Sequence, residues 1–169
     1  MAFHEVSIDS LNFNPFQKIG RQWMLITAGD EAKSNTMTAS WGGLGIMWGK
    51  KVATAYIRPQ RYTKAFVDSA DRFTLSFLSE DYRKGLNVCG SVSGRNVADK
   101  WQEAGLHPYA CGGTVGVEEA EMILVCRKMY HQNMLPECFD EKENDEKWYP
   151  EKDYHIMYIA EIEKVLIHE

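Results

Sequence analysis

Residues 71–78 read Asp-Arg-Phe-Thr-Leu-Ser-Phe-Leu, and apolar and polar side chains alternate along this stretch. A period of two is that of a β-strand, so Phe73, Leu75 and Phe77 are expected on one face and the two hydroxyl residues between them on the other. No other segment of the chain gives a clearer strand signal. The stretch predicts a protein built mainly from β-structure.

Further strand signals, many of them separated by glycine, lie on both sides of this segment. The other predicted strands are residues 22–28, 36–41, 46–48, 52–57, 118–130 and 154–167. Helices are predicted at residues 60–70, 81–89 and 97–104, the last of them capped by Asn96. Short strands with helices inserted between them do not fit a regular parallel βαβ array. The pattern therefore predicts a mainly β fold, a β-barrel with a few helices packed on it.

Length and composition favour a single domain over residues 1–169, with residues 1–20 as an N-terminal arm. A formal charge of −5 argues against a nucleic-acid binder that neutralises phosphates over a broad basic face. The chain has no long apolar run, neither a membrane span nor a signal peptide, so we expect a cytoplasmic protein. The four cysteines form no C-x-x-C pair, and the histidines lack metal-ligand spacing. We therefore expect free thiols and no metal site.

Two arginines stand beside the join between a predicted strand and a predicted helix, in Arg58-Pro59-Gln60-Arg61-Tyr62-Thr63. Proline favours extended backbone before it and is tolerated in a first helical turn, so the strand should end at Arg58 and the helix begin at Tyr62. Free N–H groups at the helix start, two guanidiniums and the hydroxyls of Tyr62 and Thr63 would suit a phosphate. The alternative is a solvated loop whose arginines pair with surface acids.

A strand of small and hydroxyl residues is a poor choice for filling a core, but it can lie flat against an aromatic ligand. Such a strand is Asn35-Thr36-Met37-Thr38-Ala39-Ser40-Trp41. Small side chains let backbone N–H and C=O groups reach the polar edge of a flavin ring, and Met37, Trp41 or Trp48 would cover its apolar part. The alternative is an edge strand with a polar outer face.

Three further features have both a functional and a structural interpretation. Ser93, Gly94, Arg95 and Lys100 lie just before or at the start of a predicted helix and would supply another phosphate or ribityl contact, or form an ordinary capped loop. His155, at the start of the last strand, is a candidate proton donor or cofactor contact, or a histidine with a structural role only. The acidic residues 140–146 are interpreted as a solvated surface loop, with substrate selection or a dimer contact as the minor alternative.

Taken together and in this order, these motifs resemble the flavin reductase-like, flavoredoxin-type proteins over residues 23–166. The resemblance implies an FMN-binding split barrel, built as a homodimer with flavin at the subunit interface. It implies that residues 35–41 line the flavin ring and that Arg58, Arg61, Tyr62 and Thr63 meet the phosphate. Residues 153–155 are similar to the family's segment ahead of its last strand, where a histidine is frequent. Asn96 stands where the family usually has an aspartate.

The leading functional hypothesis is an FMN-dependent oxidoreductase that takes hydride from NAD(P)H and passes electrons to a small-molecule or protein acceptor. FAD is possible in place of FMN. The first alternative is a non-enzymatic FMN electron carrier that exchanges electrons with protein partners. A weaker one is a flavin-free binding module that kept the barrel. Because hydride chemistry belongs to the cofactor, no single side chain need be essential.

Overall fold

The computed structural model describes residues 2–168. Its strands are β1 Phe3–Val6, β2 Met24–Gly29, β3 Ser34–Ala39, β4 Gly42–Met47, β5 Lys50–Ile57, β6 Arg72–Phe77, β7 Pro108–Cys111, β8 Thr114–Val117, β9 Met122–Asn133 and β10 Ile156–His168. Its helices are α1 Pro15–Gln17, α2 Thr63–Ser69, α3 Arg83–Ser91, α4 Lys100–Ala104 and α5 Lys142–Trp148. Helix α1 runs directly into a π-helical turn, Lys18–Gln22.

Eight strands form one antiparallel sheet in the order β3-β2-β6-β9-β10-β5-β4, with β1 paired to β10. Register shifts interrupt the β9–β10 ladder at Ile159/Ala160 and Ile162/Lys164, and irregularities of this kind bend a sheet. Strands β7 and β8 form a separate hairpin. The predicted mainly β architecture is confirmed.

Strand β6 lies between β2 and β9, with apolar layers on both of its faces. Phe73, Leu75 and Phe77 are fully buried in the larger cluster, as the alternation predicts. Thr74 and Ser76 on the other face are fully buried as well. The Thr74 hydroxyl donates to a carbonyl of β8, so the β7–β8 hairpin covers part of this face. A second cluster, made by side chains of α3, β8 and β9 among others, completes the outer layer.

Most predicted strands and helices occur within a few residues of their expected bounds, but two predictions are wrong. The acidic residues 140–146 are not a loop, because they lead into and form most of helix α5. Helix α4 begins at Lys100, later than expected, and its cap is Asp99, whose carboxylate accepts from the Gln102 N–H. Asn96 instead lies in a turn in which its N–H donates to the Ser93 carbonyl.

The N-terminal arm, expected to hold a short helix or an extended segment, contains both: β1 extends the main sheet, and residues 15–22 form helical turns around Gly20. Within residues 2–168, no helix is both long enough and apolar enough to cross a membrane. The four cysteines are free thiols, as predicted.

Candidate functional site

The join between β5 and α2 has the predicted form, since the strand ends at Ile57 and the helix begins at Thr63. The backbone N–H groups of Arg61, Lys64 and Ala65 already donate to carbonyls of this turn. The N–H groups of Tyr62 and Thr63 make no hydrogen bond within residues 2–168, so they stay available to an anion beside the side chains. The helix start therefore supplies fewer free N–H groups than the sequence indicated.

Arg61 is a half-buried cation with no carboxylate partner among the described residues. Its guanidinium donates to the carbonyls of Gly90 at 2.7 Å and Cys89 at 3.0 Å, which fix its position at the end of α3. Burial is the main cause that lowers the pKa of Arg61, although an arginine keeps its charge near neutral pH. A positioned and uncompensated positive charge favours an anionic ligand.

Lys100 and Arg95 are two more cations without a carboxylate partner in the described chain. Lys100 is 7% exposed, and its Nζ donates to the Thr36 carbonyl at 2.7 Å. Burial, reinforced by the charge of Arg61, lowers the pKa of Lys100 to about 8. Arg95 donates to the Gln60 carbonyl at 3.0 Å. These cations give one region of an acidic protein a local positive charge.

Gly94 explains how three separate segments meet in this region. A Cβ at this position would lie 2.4 Å from Asn35 Oδ1 and 3.0 Å from a ring carbon of Tyr62. Only glycine allows the turn to approach β3 and α2 so closely. Arg95 follows directly and stacks over the Tyr62 ring, 4.7 Å from its centroid.

Arg58, the other predicted phosphate ligand, is already paired. Its guanidinium lies 2.7 Å from the Asp153 carboxylate and donates to the Trp148 carbonyl at 2.9 Å. It also stacks over the ring of Tyr149 at 4.9 Å. Gln60 donates to the same carboxylate oxygen of Asp153 at 2.7 Å. The two predicted arginines therefore differ, because Asp153 compensates the charge of Arg58 while that of Arg61 stays uncompensated.

The residues of the predicted ring-binding strand fall into two groups, one buried against neighbouring elements and one at the border of a cavity. Asn35 and Thr63 are buried and bonded to each other, with Asn35 Nδ2 donating to Thr63 Oγ1 at 2.7 Å. The Thr36 hydroxyl is bonded to that of Thr27 at 2.8 Å. These side chains hold β3 against its neighbours. The remaining residues of the run, 37–41, border a cavity of about 220 Å³.

Eight of the predicted site residues line this cavity, together with Tyr56. They are Met37, Thr38, Ala39, Ser40, Trp41, Arg58, Arg61 and His155. The other predicted residues lie behind or beside it: Asn35, Thr36, Tyr62, Thr63, Ser93, Gly94, Arg95 and Lys100. Sequence reasoning missed Tyr56, although its place in β5, one residue before the strand end, is visible in the sequence.

His155 is held inside an aromatic cluster. It is 8% exposed, its Nδ1 lies 2.7 Å from the Tyr149 hydroxyl, and its ring lies 5.2 Å from that of Trp41. Burial, followed by the charge of Arg58, lowers the pKa of His155 to about 4. The imidazole is therefore neutral at pH 7, so it is not present as a cationic proton donor.

A second and larger cavity, of about 590 Å³, adjoins the first. The two share the lining residues Ser40, Trp41 and Tyr56. Helix α5 closes one side, because Trp148 meets Trp41 edge to face at 5.1 Å. The acidic segment thus carries an aromatic residue into the site region, which its charge pattern did not indicate.

Ligand atoms of His107, Glu118 and Glu119 all lie within 4.8 Å of one another. The His107 ring is bonded to Glu119 at 2.5 Å, and this carboxylate raises the pKa of His107. The spacing of these residues in sequence gave no metal signal. The group is largely exposed, and an exposed histidine–carboxylate pair is common without a metal.

Comparisons with known proteins agree on the fold. A sequence profile described as a flavin reductase like domain matches residues 16–169. The chain is similar to a flavoredoxin of Desulfovibrio vulgaris (Miyazaki F), with a TM-score of 0.66, 22% identity, and coverage of 87% of this chain and 69% of that one. It is also similar to a protein of Shewanella frigidimarina NCIMB 400, described as a flavin reductase candidate with a split barrel domain. There the TM-score is 0.68, the identity 15%, and the coverage 100% and 81%.

A third solved structure, the FMN-binding domain of a flavin reductases-like enzyme from Shewanella baltica OS155, has a TM-score of 0.69 and 15% identity. The match covers 98% of this chain and 77% of that one. The comparison with curated proteins found no match. At these identities the solved structures establish the fold, and the predicted split barrel is confirmed.

Proposed function

The chain belongs to the flavin reductase-like domain family, and we propose that it binds FMN and is an oxidoreductase that uses NADH or NADPH as electron donor. The observation that carries this proposal is Arg61, a positioned half-buried cation without a carboxylate partner in the described chain, on the wall of the cavity bordered by residues 37–41. A ligand with a flat polar ring and an anionic tail matches this combination.

The residues present fit FMN. Arg61 would hold the phosphate, and it still has donors to offer, because only two of its five N–H groups make the bonds described above. Arg95 and Lys100 add positive charge nearby. The small side chains Ala39 and Ser40 leave the backbone of the β3 end accessible to a ring edge.

A bound flavin would supply the chemistry, accepting hydride from the nicotinamide and passing electrons onward. The side chains of this protein would position the reactants and exclude water. Trp41, Tyr56 and His155 form an aromatic wall, and the neutral His155 is fixed by the Tyr149 hydroxyl. This arrangement orients His155 and provides no charged acid, so we place no catalytic acid–base residue in the site.

A titration of the purified protein with FMN tests the binding part of the proposal, followed by addition of NADH or NADPH without air. We expect a flavin absorbance that shifts on binding and bleaches with at least one donor. No binding up to millimolar FMN would contradict the proposal.

An FMN electron carrier is the second candidate function. Helix α5 favours the carrier function, because it borders the site and exposes acidic residues such as Glu143 and Glu146. A partner protein with a basic surface would bind there by charge complementarity. Steady-state oxidation of NADH or NADPH separates the candidates. Tight FMN binding with negligible turnover would favour the carrier.

We also propose that the protein is a homodimer with the flavin near the subunit interface. Support comes from Ile46, Met47 and Trp48 on the β4–β5 hairpin, which are 70%, 40% and 56% exposed. Apolar side chains grouped in this way are typical of contact surfaces. The molar mass in solution tests this, and Ile46→Glu should shift a dimer toward monomer. A wild-type monomer at micromolar concentration would contradict it.

The free thiols suit a reducing cytoplasm, where we place the protein.

A further inference from the structure

The cavity of about 590 Å³ has a composition that selects its ligand. It lies between the N-terminal helical turns, the start of β4, and helix α5. Six aromatic side chains contribute to its lining: Phe16, Trp41, Tyr56, Phe139, Trp148 and Tyr149. None of the described residues that line it is charged. Its size is in the range of small-molecule sites.

Two side chains at the edge of the cavity, Arg58 and Asn144, are already bonded within the protein. Arg58, which lines only the smaller cavity, is paired with Asp153. Asn144 lines the larger cavity and donates its amide N–H to Glu141. A phosphate or carboxylate placed among the aromatic rings would lose its hydration without gaining a counter-charge from the lining residues. The lining therefore disfavours the anionic parts of dinucleotides and of a second flavin nucleotide.

The position of the cavity relates it to the proposed flavin site. Ser40, Trp41 and Tyr56 line both cavities, so a ring bound in the larger one would lie next to a ligand in the smaller one. Ser40 and Tyr56 are the hydroxyl residues that line both cavities, and no other group in the described chain is bonded to either hydroxyl. Both are able to donate to a carbonyl oxygen.

We propose that this aromatic cavity binds an uncharged aromatic ring compound with a carbonyl group, beside the flavin site. The inference rests on the proposed function only in taking the neighbouring cavity as that of the flavin. The ring would pack against the tryptophans, and the hydroxyls of Ser40 and Tyr56 would orient the carbonyl.

Gly43 and Gly45 provide a matched pair of variants. Both lie on β4, two residues apart and so on the same face, and a Cβ at either position would meet no heavy atom within 4 Å. Gly43 lines the cavity and Gly45 does not. A leucine at position 43 would therefore occupy cavity space without backbone strain, while a leucine at position 45 adds the same side chain outside it.

The test is a calorimetric titration of the FMN-loaded protein with two probes of nearly the same shape, acetophenone and its carboxylate analogue 4-acetylbenzoate. We expect acetophenone to bind at least tenfold more tightly than 4-acetylbenzoate. Gly43→Leu should weaken acetophenone binding at least tenfold, and Gly45→Leu should change it less than twofold. FMN affinity, measured separately by flavin absorbance, should stay within threefold in both variants.

Each outcome decides a different question. Equal affinity for the two probes, or no acetophenone binding to protein that binds FMN, overturns the inference and leaves the proposed function intact. If the protein takes up no FMN, the same titration is made on the protein as purified, and acetophenone binding that Gly43→Leu abolishes then supports the cavity and contradicts the proposed function. If Gly43→Leu fails to fold, Trp148→Ala replaces it, with Tyr109→Ala, on β7 and outside both cavities, as its control. An equal effect of these two variants would also overturn the inference.

Discussion

Replacing Arg61 with glutamine is the sharpest test of the proposed phosphate site. The guanidinium is half-buried, fixed by two carbonyls, and uncompensated by any carboxylate of the described chain. A hydrogen bond to a charged group contributes about 1.5–3 kcal/mol. The Arg61→Gln variant should therefore bind FMN about 10- to 150-fold more weakly than the wild type.

Riboflavin separates recognition of the phosphate from structural damage, because it has the same ring and no phosphate. The assay is titration of both ligands into wild type and variant, followed by flavin fluorescence or absorbance. Riboflavin affinity should fall less than about threefold, since Arg61 would meet only the phosphate. Arg61→Lys should give an intermediate loss, because lysine keeps the charge without the bidentate fork.

Arg72→Gln is the matched control, since Arg72 makes its ion pair with Glu163 away from the cavity. It should leave both affinities unchanged. If Arg61→Gln weakens FMN and riboflavin by the same factor, Arg61 acts only by holding the end of α3. The assignment of the phosphate site would then be refuted.

The double variant Arg58→Gln with Asp153→Asn removes a compensated ion pair, so FMN affinity should change less than about threefold in a titration. A loss as large as that of Arg61→Gln would contradict this difference between the arginines. The pKa of Lys100 is lowered to about 8, so between pH 8 and 10.5 the unfolded chain binds more protons than the folded one. The stability of the wild type relative to Lys100→Met should therefore rise across that range, by up to about 3 kcal/mol. Urea unfolding at a series of pH values measures this difference. A stability difference between wild type and Lys100→Met that does not change with pH would contradict a buried, charged Lys100. The pKa of His155 is lowered to about 4, so stability relative to His155→Gln should fall as the pH drops from 6.5 to 4, and NMR titration should find the imidazole neutral at pH 6.

Local sequence patterns predicted much of the fold because strand periodicity is a local property. The alternation around Phe73 placed β6 correctly, and the Arg58–Pro59 junction placed the end of β5. The cap of α4 was misplaced because Asn96 and Asp99 are both suitable cap residues. The observed start coincides with a contact distant in sequence, from Lys100 to the Thr36 carbonyl.

Helix α5 shows why the acidic segment was misinterpreted. Most of its charged residues are exposed, as predicted, but Trp148 at its end packs against Trp41 and its carbonyl accepts from Arg58. These partners lie far away in sequence, so charge pattern alone does not reveal them. The composition of residues 140–146 correctly predicted a mostly exposed segment, but it did not predict that the segment is helical.

The sequence located the segments of the site better than it assigned their individual side chains. It identified β3, the β5–α2 junction and residues 93–100, and the structure brings all three together around Gly94. It did not separate buried Asn35 and Thr63 from the cavity residues, because a strand at a sheet edge gives no local signal of which side is covered. The pairing of Arg58 with Asp153 was equally invisible.

The visible spectrum of the FMN-loaded protein, recorded without air before and after addition of NADH or NADPH, tests the central claim most directly. We predict a protein-bound flavin spectrum whose visible absorbance is lost after addition of at least one of the two donors. The rate of this loss should be of the order of ordinary enzyme turnover. FMN that remains free in solution would contradict flavin binding. A bound flavin that neither donor reduces would contradict the proposed oxidoreductase activity.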